Sequence, residues 1–254
     1  MRYVSLILAF VLAPWSMAQE LSRTDADSLS AKAIRAYADG DVPGALALFD
    51  SVRTTYVSPS LFYNIGNCHF KLNDIPRAIL FYERALKLAP GDEDVKANLE
   101  LARQSVVDRV NEIPSFTLGS TWGRLRGGKD ADQWARRSLW ASFICFLFFA
   151  AAIVVEHRVG RRSLFALAGI MVLVTTLSVA FAAFRYAEVT DNSEAIIMAP
   201  KVDVRSEPRA STTVLFVLHK GTKVTVLQEE NGWMEVRLAN GNIGWMPPNS
   251  LERI

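Results

Sequence analysis

The chain has little of what most catalytic and metal sites require. Its 254 residues include only two cysteines and three histidines. His69, His157 and His219 fall in three differently patterned segments, so no two of them have the spacing of a metal site. Cys68 lies in a polar-flanked segment and Cys145 in an apolar one, and we expect no disulfide between them. The sequence therefore predicts no enzyme activity, no metal site and no cofactor.

The chain also lacks a strong excess of charge. Its formal net charge is +2, and no stripe of arginines alternates with aromatic residues. Proteins that bind nucleic acid usually carry such a basic surface, so we expect no nucleic-acid partner. The hydrophobic residues, half of the total, concentrate in three blocks, one at the N-terminus and two in the middle. This uneven distribution indicates several domains and contact with a membrane.

The first 18 residues have the pattern of an export signal. Arg2 precedes an apolar run, and the small residues Ser16 and Ala18 stand where signal peptidase would cleave before Gln19. The run is short for a membrane span, which favours a cleaved signal over an uncleaved anchor. Under either interpretation the domain that follows leaves the cytoplasm.

Residues 25–110 carry the pattern of a helical repeat. Small residues recur where two antiparallel helices would cross closely, at Gly66, Ala78 and Ala85, and Pro90 ends the second helix. These spacings resemble the tetratricopeptide repeat (TPR), whose 34-residue unit is a pair of helices. We therefore predict an all-α TPR domain of about two repeats plus a capping helix. Because so short a stack buries little surface, we expect it to depend on a partner or on self-association.

The register of the first repeat is shifted by one residue. Ala45 and Phe49, rather than the residues 34 positions before Ala78 and Tyr82, carry its apolar pattern. The TPR resemblance also implies a partner-binding groove, lined by the first helix of each pair. Its positions in this chain are Tyr37, Tyr63, Asn64, Asn67, Phe70, Lys71 and Asn98. Asparagines would bind a peptide backbone and aromatics an apolar anchor; alternatively, these residues serve the core and the helix ends.

Residues 111–138 break the helical pattern with proline and several glycines. Between Gly123 and Lys129 the spacing matches a phosphate-binding loop, but Asp130 stands where Ser or Thr would bind magnesium, so we do not predict nucleotide binding. Tryptophans and arginines, such as Trp134 and Arg137, favour a linker at the membrane interface.

Two apolar runs, residues 139–155 and 164–184, each approach the length needed to span a membrane. The loop of residues 156–163 between them carries Arg158, Arg161 and Arg162, which favour the cytoplasm. Arginines before the first run oppose this orientation, and the export signal decides between the two. We therefore predict a two-helix transmembrane hairpin in the cytoplasmic (inner) membrane, with membrane lipid around it and both flanking domains on the extracytoplasmic, periplasmic side.

Residues 192–254 read as short strands joined by tight turns. Asn231-Gly232 and Asn240-Gly241 stand between alternating runs, the strongest short signal for a β-hairpin. Together with Lys220-Gly221 and with Gly232-Trp233 and Gly244-Trp245, this pattern resembles the bacterial SH3 (SH3b) domain, an all-β SH3-like small barrel. The resemblance implies binding of cell-wall peptides, with Trp233 and Trp245 either forming a ligand surface or packing within the barrel. We expect His219 at a solvated strand end.

The order of these segments resembles the BatE-type proteins of bacterial aerotolerance operons. The motif that begins at Tyr63, the pair Trp134 and Trp140 before the first span, and the SH3b segment all fit that family. This resemblance implies a scaffold for envelope membrane proteins, including von Willebrand A-domain proteins, in a MoxR-type system of aerotolerance or envelope stress. The alternative hypothesis is a module that binds peptidoglycan through its barrel.

Overall fold

The structure, a computed structural model, describes residues 22–108 and 131–254. The predicted export signal over residues 1–18 and most of the predicted linker, including the segment resembling a phosphate-binding loop, lie outside these ranges. The chain divides into two units, Met1–Val57 and Ser58–Ile254. The first holds one pair of helices, and the second holds all other described elements.

Five helices form the TPR-like region: α1 (Arg23–Ala38), α2 (Val42–Arg53), α3 (Pro59–Lys71), α4 (Ile75–Leu88) and α5 (Glu93–Arg103). Each begins after a residue whose side chain accepts a hydrogen bond from a backbone amide of the first turn. These capping residues are Ser22, Asp41, Ser58, Asp74 and Asp92. Such caps satisfy amides that have no partner within the helix, so local sequence sets where each helix starts.

In the first unit, α1 and α2 pack together across a turn at Gly40, whose φ of +89° favours glycine. Ala45 and Phe49 are buried, at 0% and 2% exposure. The predicted one-residue shift of this repeat is therefore confirmed.

In the second unit, α3 and α4 cross at Gly66. A Cβ atom there would lie 2.6 Å from the Tyr82 ring, so the close approach requires glycine. Ala78 and Ala85 on α4 are fully buried, in agreement with the expected close crossing of the two helices. The turn between the helices contains Asn73 with a φ of 59°, a conformation that asparagine tolerates.

Two long apolar helices follow, α6 (Ala131–Val154) and α7 (Arg158–Thr190). They pack against each other, and both are long and apolar enough to cross a membrane. Their apolar side chains are largely exposed, as expected for helices that face lipid.

These helices are longer than the predicted spans. The predicted loop of residues 156–163 shrinks to Val155–His157, because Arg158, Arg161 and Arg162 join the first turns of α7. Residues 131–138, predicted as linker, belong to α6. No proline interrupts either segment, and arginine is a good helix former, so the hydrogen-bond ladder continues past the ends of the apolar runs.

The C-terminal segment is a small antiparallel sheet with strands β1 (Glu194–Ile197), β2 (Lys201–Arg205), β3 (Val214–His219), β4 (Lys223–Glu230), β5 (Trp233–Arg237), β6 (Ile243–Met246) and β7 (Leu251–Arg253). The strand order is β3-β2-β6-β5-β4-β1-β7. Residues such as Val204, Val236 and Met246 form its buried core. Strand β7 was not predicted; it pairs with β1.

The turn between β4 and β5 confirms the hairpin predicted at Asn231-Gly232. Both residues have positive φ, 52° and 74°. This is the backbone of the two-residue hairpin turns that match the twist of the strands. Gly241, with a φ of +87°, occupies the second predicted turn.

Candidate functional site

The face formed by α3 and α5, hereafter the α3/α5 face, brings three of the predicted groove residues together. Asn98 Nδ2 donates hydrogen bonds to Tyr63 Oη at 2.9 Å and to Asn67 Oδ1 at 3.1 Å. Asn67 Oδ1 also accepts a hydrogen bond from Tyr82 Oη at 2.8 Å. Asn67 therefore links α3 to both α4 and α5, and part of the hydrogen-bonding capacity expected for a partner is used within the chain.

The remaining groove residues differ in exposure. Asn64 and Phe70 are half-buried and Lys71 is exposed, while Tyr63 and Phe70 also pack against the hydrophobic core beneath them. Tyr37 is half-buried on α1, in the other unit. The α3/α5 face thus offers aromatic edges, amide groups and one exposed cation, a composition suited to an extended or helical peptide segment.

The opposite side of this repeat is covered by the chain's own barrel. Ile196 of β1 and Ile254 belong to one buried cluster with α4 residues that include Ile79 and Tyr82. We call this contact the α4/barrel junction. The barrel thus buries part of the apolar surface of the short stack.

A glycine makes the close approach at the junction possible. Gly221, in the turn between β3 and β4, has a φ of +91°. A Cβ atom there would lie 2.9 Å from Val106 Cγ2, and Ile79 is the next neighbour. Both the backbone conformation and the available space therefore require glycine at this position.

A network of ion pairs connects the helices and strands at the junction. Glu83 on α4, only 7% exposed, accepts from Arg103 of α5 at 2.6 Å and from Lys223 of β4 at 3.0 Å. Lys223 also pairs with Glu194 of β1 at 2.9 Å. Burial by itself lowers the pKa of Lys223, but the carboxylates of Glu83 and Glu194 outweigh it and raise that pKa.

Asp108, after α5, holds the same barrel turn. Its carboxylate accepts from the His219 backbone N–H at 2.6 Å and from Thr222 Oγ1 at 2.7 Å, and it lies 2.7 Å from His219 Nδ1. Burial alone would raise the pKa of Asp108, but these hydrogen bonds lower it. His219 ends β3, as predicted, and its side chain is 35% exposed, but Asp108 after α5 also contacts it, which was not predicted.

The two tryptophans of the barrel share its outer face. Trp245 lies opposite Glu235 in the sheet register, and Trp233 is two residues from Glu235 on β5, which places all three on one side. Trp245 is 8% exposed, whereas Trp233 is half-buried. Trp233 thus offers more surface to a ligand than Trp245 does.

The junction residues were not predicted from the sequence. Glu83 and Lys223 are charged residues in an amphipathic helix and an alternating strand, where charged residues are usually exposed. The structure shows that Glu83 is buried instead. The sequence predicted Gly221 as a turn residue. It did not predict that Gly221 also allows close contact with Val106, which lies more than a hundred residues earlier. No local signal reports such a contact.

Within residues 22–108 and 131–254, no group of three or more His, Cys, Asp or Glu side chains is arranged to hold a metal ion. Within the same ranges, neither Cys68 nor Cys145 forms a disulfide.

Comparison with protein families matches two segments. Residues 59–92, which span α3 and α4, match the tetratricopeptide repeat, and residues 200–252 match the bacterial SH3 domain. No curated protein matches the chain. Both matched domains are typically non-catalytic binding modules, so the chain has the make-up of a protein-interaction or wall-binding protein with two helices suited to membrane anchoring.

Proposed function

We propose that the protein is a membrane-anchored scaffold on the extracytoplasmic side of the bacterial inner membrane, where its TPR groove binds a segment of an envelope membrane protein. One observation carries this proposal. The two sides of the repeat made by α3 and α4 differ: the barrel covers the α4 side, whereas the α3/α5 face remains half-exposed with amide, hydroxyl and aromatic groups. A repeat whose other side is already occupied has this face left for a partner.

The anchoring part of the proposal rests on α6 and α7. Both have the length and hydropathy of membrane spans, and the three residues between them make a tight hairpin. A hairpin returns the chain to the side from which it entered, so the TPR domain of residues 25–110 and the barrel of residues 192–254 share one side. The bacterial SH3 match favours the extracytoplasmic side for both.

The resemblance to BatE-type proteins supports a finer proposal. The segment order that carries it, TPR repeat, apolar hairpin and barrel, is present in the structure. On this basis we propose partners with von Willebrand A domains in a MoxR-type aerotolerance or envelope-stress system.

Affinity isolation tests the scaffold. The full chain would be isolated from native membranes in mild detergent, and co-purified proteins would be identified by mass spectrometry. Lys71→Glu reverses a charge on the α3/α5 face, and Lys96→Glu makes the same change on α5, two residues from Asn98 and so on another side of that helix. We expect Lys71→Glu to reduce capture of a defined membrane protein several-fold and Lys96→Glu to leave it unchanged. Equal capture by all three proteins would overturn the proposal.

Wall binding through the barrel is the second candidate, favoured by the half-buried Trp233 on the outer sheet face. Its test is co-sedimentation of the full chain with purified peptidoglycan sacculi. If this function is the main one, Trp233→Ala reduces sedimentation, while Val214→Ala on β3 does not. If the full chain does not sediment with the sacculi, or if both variants sediment as the full chain does, wall binding through Trp233 is excluded.

A further inference from the structure

A cleft of about 450 Å³ opens where the TPR-like region, the end of α7 and the barrel meet. Its lining comes from α4, from the last turns of α7 and from β1 and β4. Three cations and four carboxylates are among the lining residues: Lys87, Arg185, Lys223, Glu83, Glu188, Asp191 and Glu194. The cleft therefore carries both signs of charge.

Arg185 lines this cleft and is only 5% exposed. Its Nη1 pairs with Glu188 at 2.8 Å, and its Nη2 donates to the Lys87 carbonyl oxygen. Among the described residues, its Nε has no hydrogen-bond acceptor. A buried donor without an acceptor is costly, so this guanidinium indicates that an acceptor is supplied from outside the chain.

Lys87 provides a second cation beside it. Its ammonium donates to the main-chain oxygens of Asp191 and Ile254 and to Asn192 Oδ1. Burial lowers the pKa of Lys87, and the carboxylates of Asp191 and Glu194 offset this only in part. An anion placed between Lys87 and Arg185 would satisfy both groups.

Carboxylates provide the opposite charge at the same cleft. The side chains of Glu188 and Glu194 are 53% and 45% exposed, so both are accessible. Lys223 already pairs with Glu194 and with Glu83, and Arg185 pairs with Glu188. Asp191 brings the carboxylates of the lining to four, against three cations. The lining therefore also suits a small ammonium group that can donate several hydrogen bonds.

The position of the cleft relative to the membrane selects the ligand. Arg185 directly follows the apolar run of residues 164–184, so it lies where α7 leaves the hydrocarbon and meets the lipid headgroups. A phospholipid is the molecule that presents a phosphate at this depth. Given the carboxylates close by, the best match is a headgroup that also carries a primary ammonium.

We propose that this cleft binds one phosphoethanolamine-type phospholipid headgroup, with the phosphate between Arg185 and Lys87 and the ammonium at Glu188 and Glu194. A glycerol headgroup lacks the ammonium, and a choline headgroup has no N–H to donate. The bound lipid would hold the barrel, α4 and α7 together at the membrane surface. The proposal rests on the membrane orientation given under Proposed function.

The test uses the full chain, delipidated in mild detergent and titrated with phosphatidylethanolamine, phosphatidylglycerol or phosphatidylcholine, with bound lipid counted by native mass spectrometry. We expect one phosphatidylethanolamine bound about tenfold more tightly than the other two lipids, because charge-assisted hydrogen bonds form at both ends of the headgroup. Lys87→Gln should weaken binding of all three lipids several-fold, because each of them carries the phosphate, whereas Lys96→Gln, at an exposed cation outside the cleft, should leave the three affinities unchanged.

A second variant tests the ammonium end of the headgroup separately. Glu188→Gln removes a carboxylate from the ammonium end and should reduce the preference for ethanolamine over glycerol, and it also serves if Lys87→Gln lowers the unfolding temperature. Equal binding of the three lipids by the native chain, unchanged affinities in Lys87→Gln, or an unchanged preference in Glu188→Gln overturns the proposal. Full competition by inorganic phosphate would assign the site to a soluble phosphate compound and overturn the lipid assignment. Loss of lipid binding with intact partner capture at the α3/α5 face would leave the scaffold standing.

Discussion

The α3/α5 face and the α4/barrel junction are two sides of one helical repeat, yet different interactions hold them. Neutral hydrogen bonds among Tyr63, Asn67 and Asn98 order the first, and its side chains remain half-exposed. Buried apolar residues, a glycine contact and buried charges such as Glu83 close the second. The difference shows that the chain covers the second side by itself and leaves the first side half-exposed.

The junction also shows why the short stack holds together. A solenoid repeat buries its apolar side only against a neighbour, and here the neighbour is a domain of another fold class. The barrel buries apolar residues of α4 such as Ile79 through Ile196 and Ile254. The stability of α4 should therefore depend on residues that lie beyond the membrane hairpin in the sequence.

The largest effect should come from Gly221→Ala. The new Cβ atom meets Val106 and sits on a backbone with positive φ, so we expect a loss of roughly 2–4 kcal/mol. Gly232→Ala is the matched control, because its φ is also positive but nothing lies within 4 Å. Denaturant unfolding of the full chain in detergent measures both. Equal losses would show that the junction contact contributes nothing.

The next effect should come from Glu83→Gln. Removing this buried charge leaves Arg103 and Lys223 with a weaker acceptor, at a cost of roughly 1.5–3 kcal/mol. Glu93→Gln breaks the exposed pair with Lys96 and should cost less than about 0.5 kcal/mol. The same unfolding measurement compares the two variants. If Glu83→Gln costs as little as Glu93→Gln, the ion pairs of Glu83 do not stabilise the junction.

A smaller effect is expected on the α3/α5 face. Asn67→Ala removes the acceptor shared by Tyr82 and Asn98 and should cost about 1–2 kcal/mol. Asn64→Ala on the same helix should stay within about 0.5 kcal/mol. If Asn67→Ala proves as mild as Asn64→Ala, the amide network does not order this face.

The smallest effect concerns pH. The pKa of Asp108 in the folded chain lies below its ordinary value of 3.8, so its contribution to stability is present above that value. It is lost as the pH falls through the lowered, folded pKa. The difference in unfolding free energy between the native chain and Asp108→Asn should shrink as the pH falls below 3.8. A difference that persists unchanged in acid would contradict this account.

Much of the architecture was predictable, because its signals are local. Spacing of small residues such as Gly66 and Ala78 indicated the helix pair, and Asn231-Gly232 indicated the hairpin. The groove residues were predicted from family positions, but their internal hydrogen bonds were not, since Asn98 reaches Tyr63 across 35 positions. The ends of α6 and α7 were missed because hydropathy marks the apolar run and not the end of the helical ladder.

The sequence by itself determined the fold class of each segment, since helix caps, turn glycines and apolar runs act over a few residues. Only the tertiary structure decided that the barrel covers α4, that Asp108 holds the turn at His219, and that Lys87 and Arg185 meet at one cleft. The physical reason is the range in sequence over which these interactions act. Burial and ion pairing depend on which surfaces meet in space. Residues that lie on either side of the apolar hairpin in the sequence produce no local pattern from which their contact could be predicted.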